Sequence, residues 1–308
     1  MSTPFTHTVR GTGAAAGFSF TGRSNLGDVT PGAGDPVIVA LHGGTYSSEY
    51  FDIPGHSLLD NATKQGIAVI AIDRPNYLGS SPLTSEGSII ADNAAVLGDA
   101  IGSIFSEHGG AAAGVVLVAH SIGGAVATII AATPQSWPLL GLATSGCLVR
   151  VPSESAEAWN QLPPIPMIDL PVPLKDQLMF GPPETYDSAM PAASYPSNTL
   201  VPKAELLDIT GGWIERRAAT CAAVNVPVHH RSAEFDHLWV VDQGEVDTYR
   251  AGFTSAPSID AQLQLGAGHC IDFHLPSDEF QLSQLAFARE SAKEFAPGLA
   301  RESAKVED

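Results

Sequence analysis

Cysteine is scarce in this 308-residue chain, with Cys147, Cys221 and Cys270 as the full set. Three scattered thiols supply neither a disulfide framework nor a CxxC zinc site, so a reducing, cytoplasmic setting is expected. Basic residues are also few: 15 Lys+Arg stand against 33 Asp+Glu, a formal net charge of −18. Nucleic-acid binding is thereby disfavoured, because phosphate backbones attract basic surfaces and repel acidic ones. Docking on anionic membranes is disfavoured for the same reason. No apolar run approaches the ~20 residues of a membrane-spanning helix, and MSTPFTHTVRGTGAAAGFSF at the start has no basic-then-apolar secretory pattern. Charged residues amount to only 16%, whereas hydrophobic residues make up 44%, enough for a substantial core. The expectation is a soluble globular chain, built as one large α/β domain with an insertion or as two smaller domains.

Hydrophobic patterning points to alternating strands and helices. Phe18 and Phe20 flank Ser19 as one face of a short strand in an opening hairpin. Gly11, Gly13 and Gly17 fit a hairpin loop better than a dinucleotide loop, since no buried strand precedes them and no amphipathic helix follows. The runs at 37–41, 67–72 and 115–119 are continuously apolar, the mark of strands covered on both faces, and 139–146 reads as a fourth. Helices are expected over 48–65, 88–108 and 123–132, with Ile89, Ala95, Leu97, Ile101 and Ile104 as core contacts in the second. Such alternation implies right-handed βαβ units and a mostly parallel sheet. Residues 149–200 break the pattern with many of the 23 prolines and read as a long functional loop, more mobile than the sheet. Helix returns over 203–223, strands over 226–232 and 259–265, and a last helix over 278–295. ARESAK occurs at 288–293, at the end of the expected last helix, and again at 300–305 in the charged terminus; two copies are too few for a solenoid and read as a local duplication in a solvated tail.

The strongest chemical signal is VVLVAHSIGGAVA, residues 115–127. A buried strand ends at Ala119, Ser121 occupies the turn, and a glycine-led helix begins at once, which is the layout of a nucleophile elbow. Small neighbours, Ala119 and Gly123, let strand and helix approach closely enough to push the serine Oγ outward. The helix N-terminus turns its free N–H groups toward developing negative charge. Upstream, the strand at 37–41 runs into His42-Gly43-Gly44-Thr45, a flexible backbone whose N–H groups can point into a site. The N–H of Ile122 and that of Gly44, with Thr45 next in order, make a candidate oxyanion hole.

These segments together resemble the α/β-hydrolase superfamily over nearly the whole chain. HGG follows the third strand, IDRPNYLGSS (72–81) the fourth and the elbow the fifth. The resemblance implies a mostly parallel central sheet flanked by helices, a catalytic domain from 1–148 plus 226–308, and a lid insertion at 149–225 after the sixth strand. Within DRPNYLGSS, Asn76 stands where glycine is usual, and Asp73 takes a structural role. The family's chain order of serine, acid and histidine places the base in LQLGAGHCIDFH (263–274), at His269 ahead of His274. It places the acid in AEFDHLW, at Asp236 ahead of Glu234. His229, His230 and His120 read as packing or hydrogen-bonding residues. A zinc site on His269 and His274 has no third ligand, and neither metal nor cofactor is expected.

The resemblance implies a serine hydrolase that forms an acyl-enzyme on a small or medium, fairly apolar ester or lactone. Trp159, Met167, Met179, Phe180 and Trp213 are candidates for an apolar pocket. The alternatives are a carbon–carbon bond hydrolase or lyase using the same triad, and a noncatalytic ligand-binding homologue. The expected partner is a small-molecule carbonyl compound; oligomeric state stays open.

Overall fold

The chain opens with a hairpin of β1 (Thr3–Thr8) and β2 (Ser19–Ser24), paired antiparallel as expected. The computed structural model describes residues 2–303, with side chains up to residue 294. The three apolar runs become β3 (Pro36–Leu41), β4 (Ala68–Ile72) and β5 (Gly114–His120), every residue of which is buried. Between them lie α1 (Leu58–Gln65) and α2 (Ile89–His108). Then come α3 (Ile122–Ala132) and β6 (Leu139–Ser145).

After β6 the chain leaves the sheet for α4 (Ser153–Asn160), β7 (Met167–Ile168), α5 (Val172–Met179), α6 (Met190–Ser194), β8 (Val201–Pro202), α7 (Lys203–Thr210) and α8 (Gly212–Ala223). It returns through β9 (Val228–Phe235), α9 (Gln243–Ala251), β10 (Ile259–Gly268) and α10 (Ser277–Ser303).

Eight of the ten described strands form one sheet in the order β1-β2-β4-β3-β5-β6-β9-β10, and β7 pairs antiparallel with β8 in a separate ribbon. Pairings from β4 through β10 are parallel, and β2 joins β4 antiparallel. This is the α/β-hydrolase architecture that the sequence resembles. From β3 the chain first crosses to β4 on one side and then to β5 on the other. The order therefore reverses beside β3, and the carboxyl ends of β3 and β5 border the crevice where open α/β sheets bind ligands.

Several local expectations are corrected. The helix expected over 48–65 is split into a 3-10 turn at Ser48–Asp52 and α1, because Pro54 and Gly55 interrupt it, Gly55 at φ 82°. In α2 the core face is Ile90, Ala94, Leu97, Ile101 and Ile104; Ala95 is exposed, one position off the inward stripe. By length and composition α2 is apolar enough to cross a membrane, but over half of its most apolar stretch is buried inside the protein, as in a core helix.

Residues 149–200 are not an irregular loop. Their prolines start short helices: Pro152 and Pro171 cap α4 and α5, and Pro173 and Pro191 occupy first turns, where a missing N–H costs nothing. Helix α9 had no sequence expectation because it buries only Val246 and Tyr249, although Asp242 accepting the Glu245 N–H is a legible capping signal. The first ARESAK copy lies in the last helix as expected, but it is not solvated, since Ala288, Ser291 and Ala292 are buried within α10. Part of the second, at 300–305, lies outside the described residues.

Candidate active site

At the end of β5 the backbone turns through Ser121 at φ 54° and ψ −123°, and α3 starts at the next residue. A non-glycine residue in this region carries about 1–3 kcal/mol of strain. The approach is close enough to forbid side chains nearby. A Cβ on Gly123 would lie 2.3 Å from the Leu41 carbonyl oxygen, and one on Gly43 would lie 2.8 Å from Ser121 Cβ. The serine is thus lifted out of the chain at the crevice beside β3.

His269 follows β10 directly. Its Nε2 is 3.0 Å from Ser121 Oγ, and its Nδ1 is 2.7 Å from Asp236 Oδ2. With Nδ1–H donating to the carboxylate, Nε2 is left to accept the serine proton. Asp236 follows β9, has a side chain only 2% exposed, and accepts the Leu238 N–H at 2.8 Å through its other oxygen. The three residues named from sequence therefore stand in one hydrogen-bonded row.

The rivals are elsewhere. Glu234 accepts the Gly266 N–H at 2.9 Å and is exposed. His274 Nδ1 donates to the Cys270 carbonyl at 2.7 Å, while Nε2 accepts the N–H groups of Gly181 and Gly268, each at 3.0 Å. Burial holds its pKa down at about 4. It pins the loop that carries His269 to the segment after α5. His120 stacks on Tyr50 at 4.7 Å and bonds Ser145 Oγ at 3.2 Å. His229 and His230 bond Ser283 and Thr144, and burial pulls both down to about 3. Asp73 accepts the Ser48 N–H and the Thr21 hydroxyl, which is the structural role expected of it.

Gly44, Thr45, Ser121 and Ile122 line one cavity of about 510 Å³, counted out to solvent at its mouth. Trp159, Leu170, Met179, Leu206 and Ile209, all from the segment between β6 and β9, join Trp239 in a lining that is apolar on this side apart from Thr210. Of the pocket candidates named from sequence, Trp159 and Met179 are present. Phe180 packs instead on Tyr186 and Phe273, Trp213 is wholly buried, and Met167 lies in β7.

A fastening of the glycine loop has no counterpart in the sequence reading. Arg74, just after β4, donates from Nε to the His42 carbonyl at 2.9 Å and from Nη2 to that of Gly43 at 3.2 Å. Its guanidinium is gripped by Glu205 of α7 at 2.8 and 2.9 Å, and Tyr77 donates to the same carboxylate at 2.7 Å. Both charged side chains are fully buried. With the two carbonyls held on Arg74, the loop backbone beyond them is oriented by α7.

Lys175 of α5 adds a second tie. Its ammonium donates to the Thr45 carbonyl at 2.6 Å and lies 3.5 Å from the centre of the Tyr46 ring, with burial lowering its pKa to about 7. The part of the insertion from Lys175 to Glu205 is therefore fastened to the site and not free of it.

Replacing Glu205 with alanine is expected to cost about 3–5 kcal/mol of folding stability, because buried Arg74 would lose its counter-charge. Urea unfolding measures this directly. A loss below about 1 kcal/mol would mean that the pair behaves as a solvated one.

The family profile described as "Alpha/beta hydrolase family" matches residues 38–280. A search of curated proteins finds no match. Among solved structures, the chain is similar to a thermophilic esterase from Thermogutta terrifontis at 16% identity and TM-score 0.58, covering 95% of this chain and 99% of that one. It is similar to a monoacylglycerol lipase from Paleococcus ferrophilus at 19% identity and TM-score 0.60, covering 84% and 97%. It is also similar to an E-2-(acetamidomethylene)succinate hydrolase at 15% identity and TM-score 0.61, covering 92% and 100%. At these identities the neighbours speak for the fold alone, while the family profile spans most of the sequence: the chain belongs to the alpha/beta hydrolase family and is an enzyme of that family.

Proposed function

We propose that the protein is a serine hydrolase of small or medium, fairly apolar carboxylic esters or lactones. The observation that carries this reading is the row Ser121–His269–Asp236, joined at 3.0 and 2.7 Å, with Ser121 lining a largely apolar cavity. Ser121 Oγ attacks the substrate carbonyl as His269 Nε2 takes its proton. The resulting imidazolium is held by Asp236 and passes the proton to the leaving alkoxide. Water, activated by the same imidazole, then attacks the acyl-enzyme and frees Ser121.

The developing oxyanion is received by the N–H groups of Gly44 and Ile122, for neither of which the described residues supply a hydrogen-bond acceptor. The Thr45 hydroxyl, buried beside them without a partner among the described residues, is a further donor available there. The lining supplies no cationic side chain, which favours neutral substrates over carboxylates. In this reading residues 149–225 form the lid that shapes the acyl pocket, anchored at Lys175 and Glu205.

A fluorophosphonate probe, which mimics the acylating carbonyl, tests the proposal. It should modify Ser121 stoichiometrically, as read by peptide mass spectrometry, and abolish turnover of p-nitrophenyl butyrate. Absence of labelling, or labelling at another serine, would sink it.

A further inference from the structure

A second cluster of ligating side chains lies away from the cavity. His7 is in β1, and Glu107 and His108 end α2, near the point where β5 begins. The Ser121 site is at the opposite, carboxyl end of β5. His7 Nδ1 is 3.6 Å from Glu107 Oε2, and His108 Nε2 is 3.8 Å from Glu107 Oε1. One ligand atom from each residue lies within 4.8 Å of the other two.

Two further observations give this cluster the character of a site. His7 Nε2 is 2.9 Å from Ser103 Oγ. With Nε2–H donating to that hydroxyl, the lone pair is on Nδ1, on the side of Glu107; an outer partner for the second ring nitrogen is the usual support of a ligating imidazole. His108 Nε2 is shielded from solvent and has no hydrogen-bond partner among the described residues. The His108 ring packs edge-on to Phe5 at 5.3 Å and to His7 at 5.7 Å. In a tetrahedral site with bonds of about 2.0–2.1 Å, donor atoms are roughly 3.3 Å apart. Reaching that spacing from within 4.8 Å requires Glu107, with 66% of its side chain exposed, and His108, with 26%, to turn inward toward buried His7.

We propose that His7, Glu107 and His108 form a binding site for a divalent transition-metal ion, zinc being the best match to two imidazoles and one carboxylate. Water takes the fourth position. The ion fastens β1, an edge strand held to the sheet through β2 alone, to the end of α2. The site is independent of the hydrolase reading and stands or falls without it.

Chelator-treated protein titrated with zinc chloride, read by calorimetry and thermal unfolding, tests the proposal. One zinc per chain is expected, with a Kd of about 1 μM or tighter, and a Tm that rises with zinc concentration. Glu107→Gln and His108→Gln should each lower affinity about tenfold or more, and Glu107→Gln, whose side chain is 66% exposed, should leave the metal-free Tm near that of the parent. Ser103→Ala should weaken binding without removing it. Failure of the parent protein to take up one equivalent overturns the site. So does uptake of equal affinity in Glu107→Gln and His108→Gln, which would place the zinc on other histidines.

Discussion

Ser121→Ala is expected to lower kcat on any ester the protein accepts by about 10⁵–10⁶-fold while leaving the fold intact. The hydroxyl's one described side-chain partner is His269, so its loss removes chemistry and no packing. Alanine keeps the same Cβ in the same strained backbone at φ 54°, so unfolding free energy should stay within about 1 kcal/mol of the parent. His269→Ala should produce a comparable loss, because nucleophile and base act as a unit and removing either disables both. Residual turnover above about 1% of the parent in Ser121→Ala would refute the proposed mechanism. His274→Ala is the informative contrast. It should retain chemistry but lose stability, since the N–H groups of Gly181 and Gly268 would lose their common acceptor.

The second large effect separates two carboxylates only two residues apart. Asp236→Asn should reduce kcat by about 10⁴-fold, because an amide in place of the carboxylate favours the wrong imidazole tautomer and no longer balances the imidazolium. Glu234→Gln should cost less than about tenfold, since Glu234 is exposed and bonded to the Gly266 backbone. Steady-state kinetics of both variants on one ester decides the matter. The reverse ranking would transfer the acid role to Glu234. Severe losses in both would mean that the Glu234–Gly266 bond sets the position of the loop bearing His269.

Much of the fold was legible because parallel sheets write themselves locally. Strands covered on both faces are short apolar runs, and β3, β4 and β5 each fall within a residue or so of the run that announced them. Ser88 before α2 and the glycines after Ser121 are likewise local signals. The insertion was misread for an equally local reason. Proline weight in 149–200 suggested irregular chain, whereas proline is tolerated in the first turn of each short helix. Ala95 was placed one residue off because a helix stripe drawn from sequence has no reference direction until its neighbours are known.

The candidate site divides in the same way. Chain order and the patterns around Ser121 and His269 were enough to bring both residues forward, since strand, tight turn and helix are contiguous and each limits the next. The choice of Asp236 over Glu234 rested on resemblance; the distances alone separate them, because side chains two apart along an extended loop share a direction in principle. The grip of Glu205 on Arg74 joins residues 131 positions apart, and the meeting of His7 with Glu107 and His108 joins a first strand to the end of a distant helix. No periodicity or spacing marks such pairs, because a buried charge or a shared ligand geometry exists only once separate elements have packed. What the sequence determined by itself was the order of elements and the residues at the two tight turns. Which carboxylate faces His269, what holds the glycine loop, and where a metal could sit were decided by tertiary packing, which alone sets the distances on which electrostatics and coordination depend.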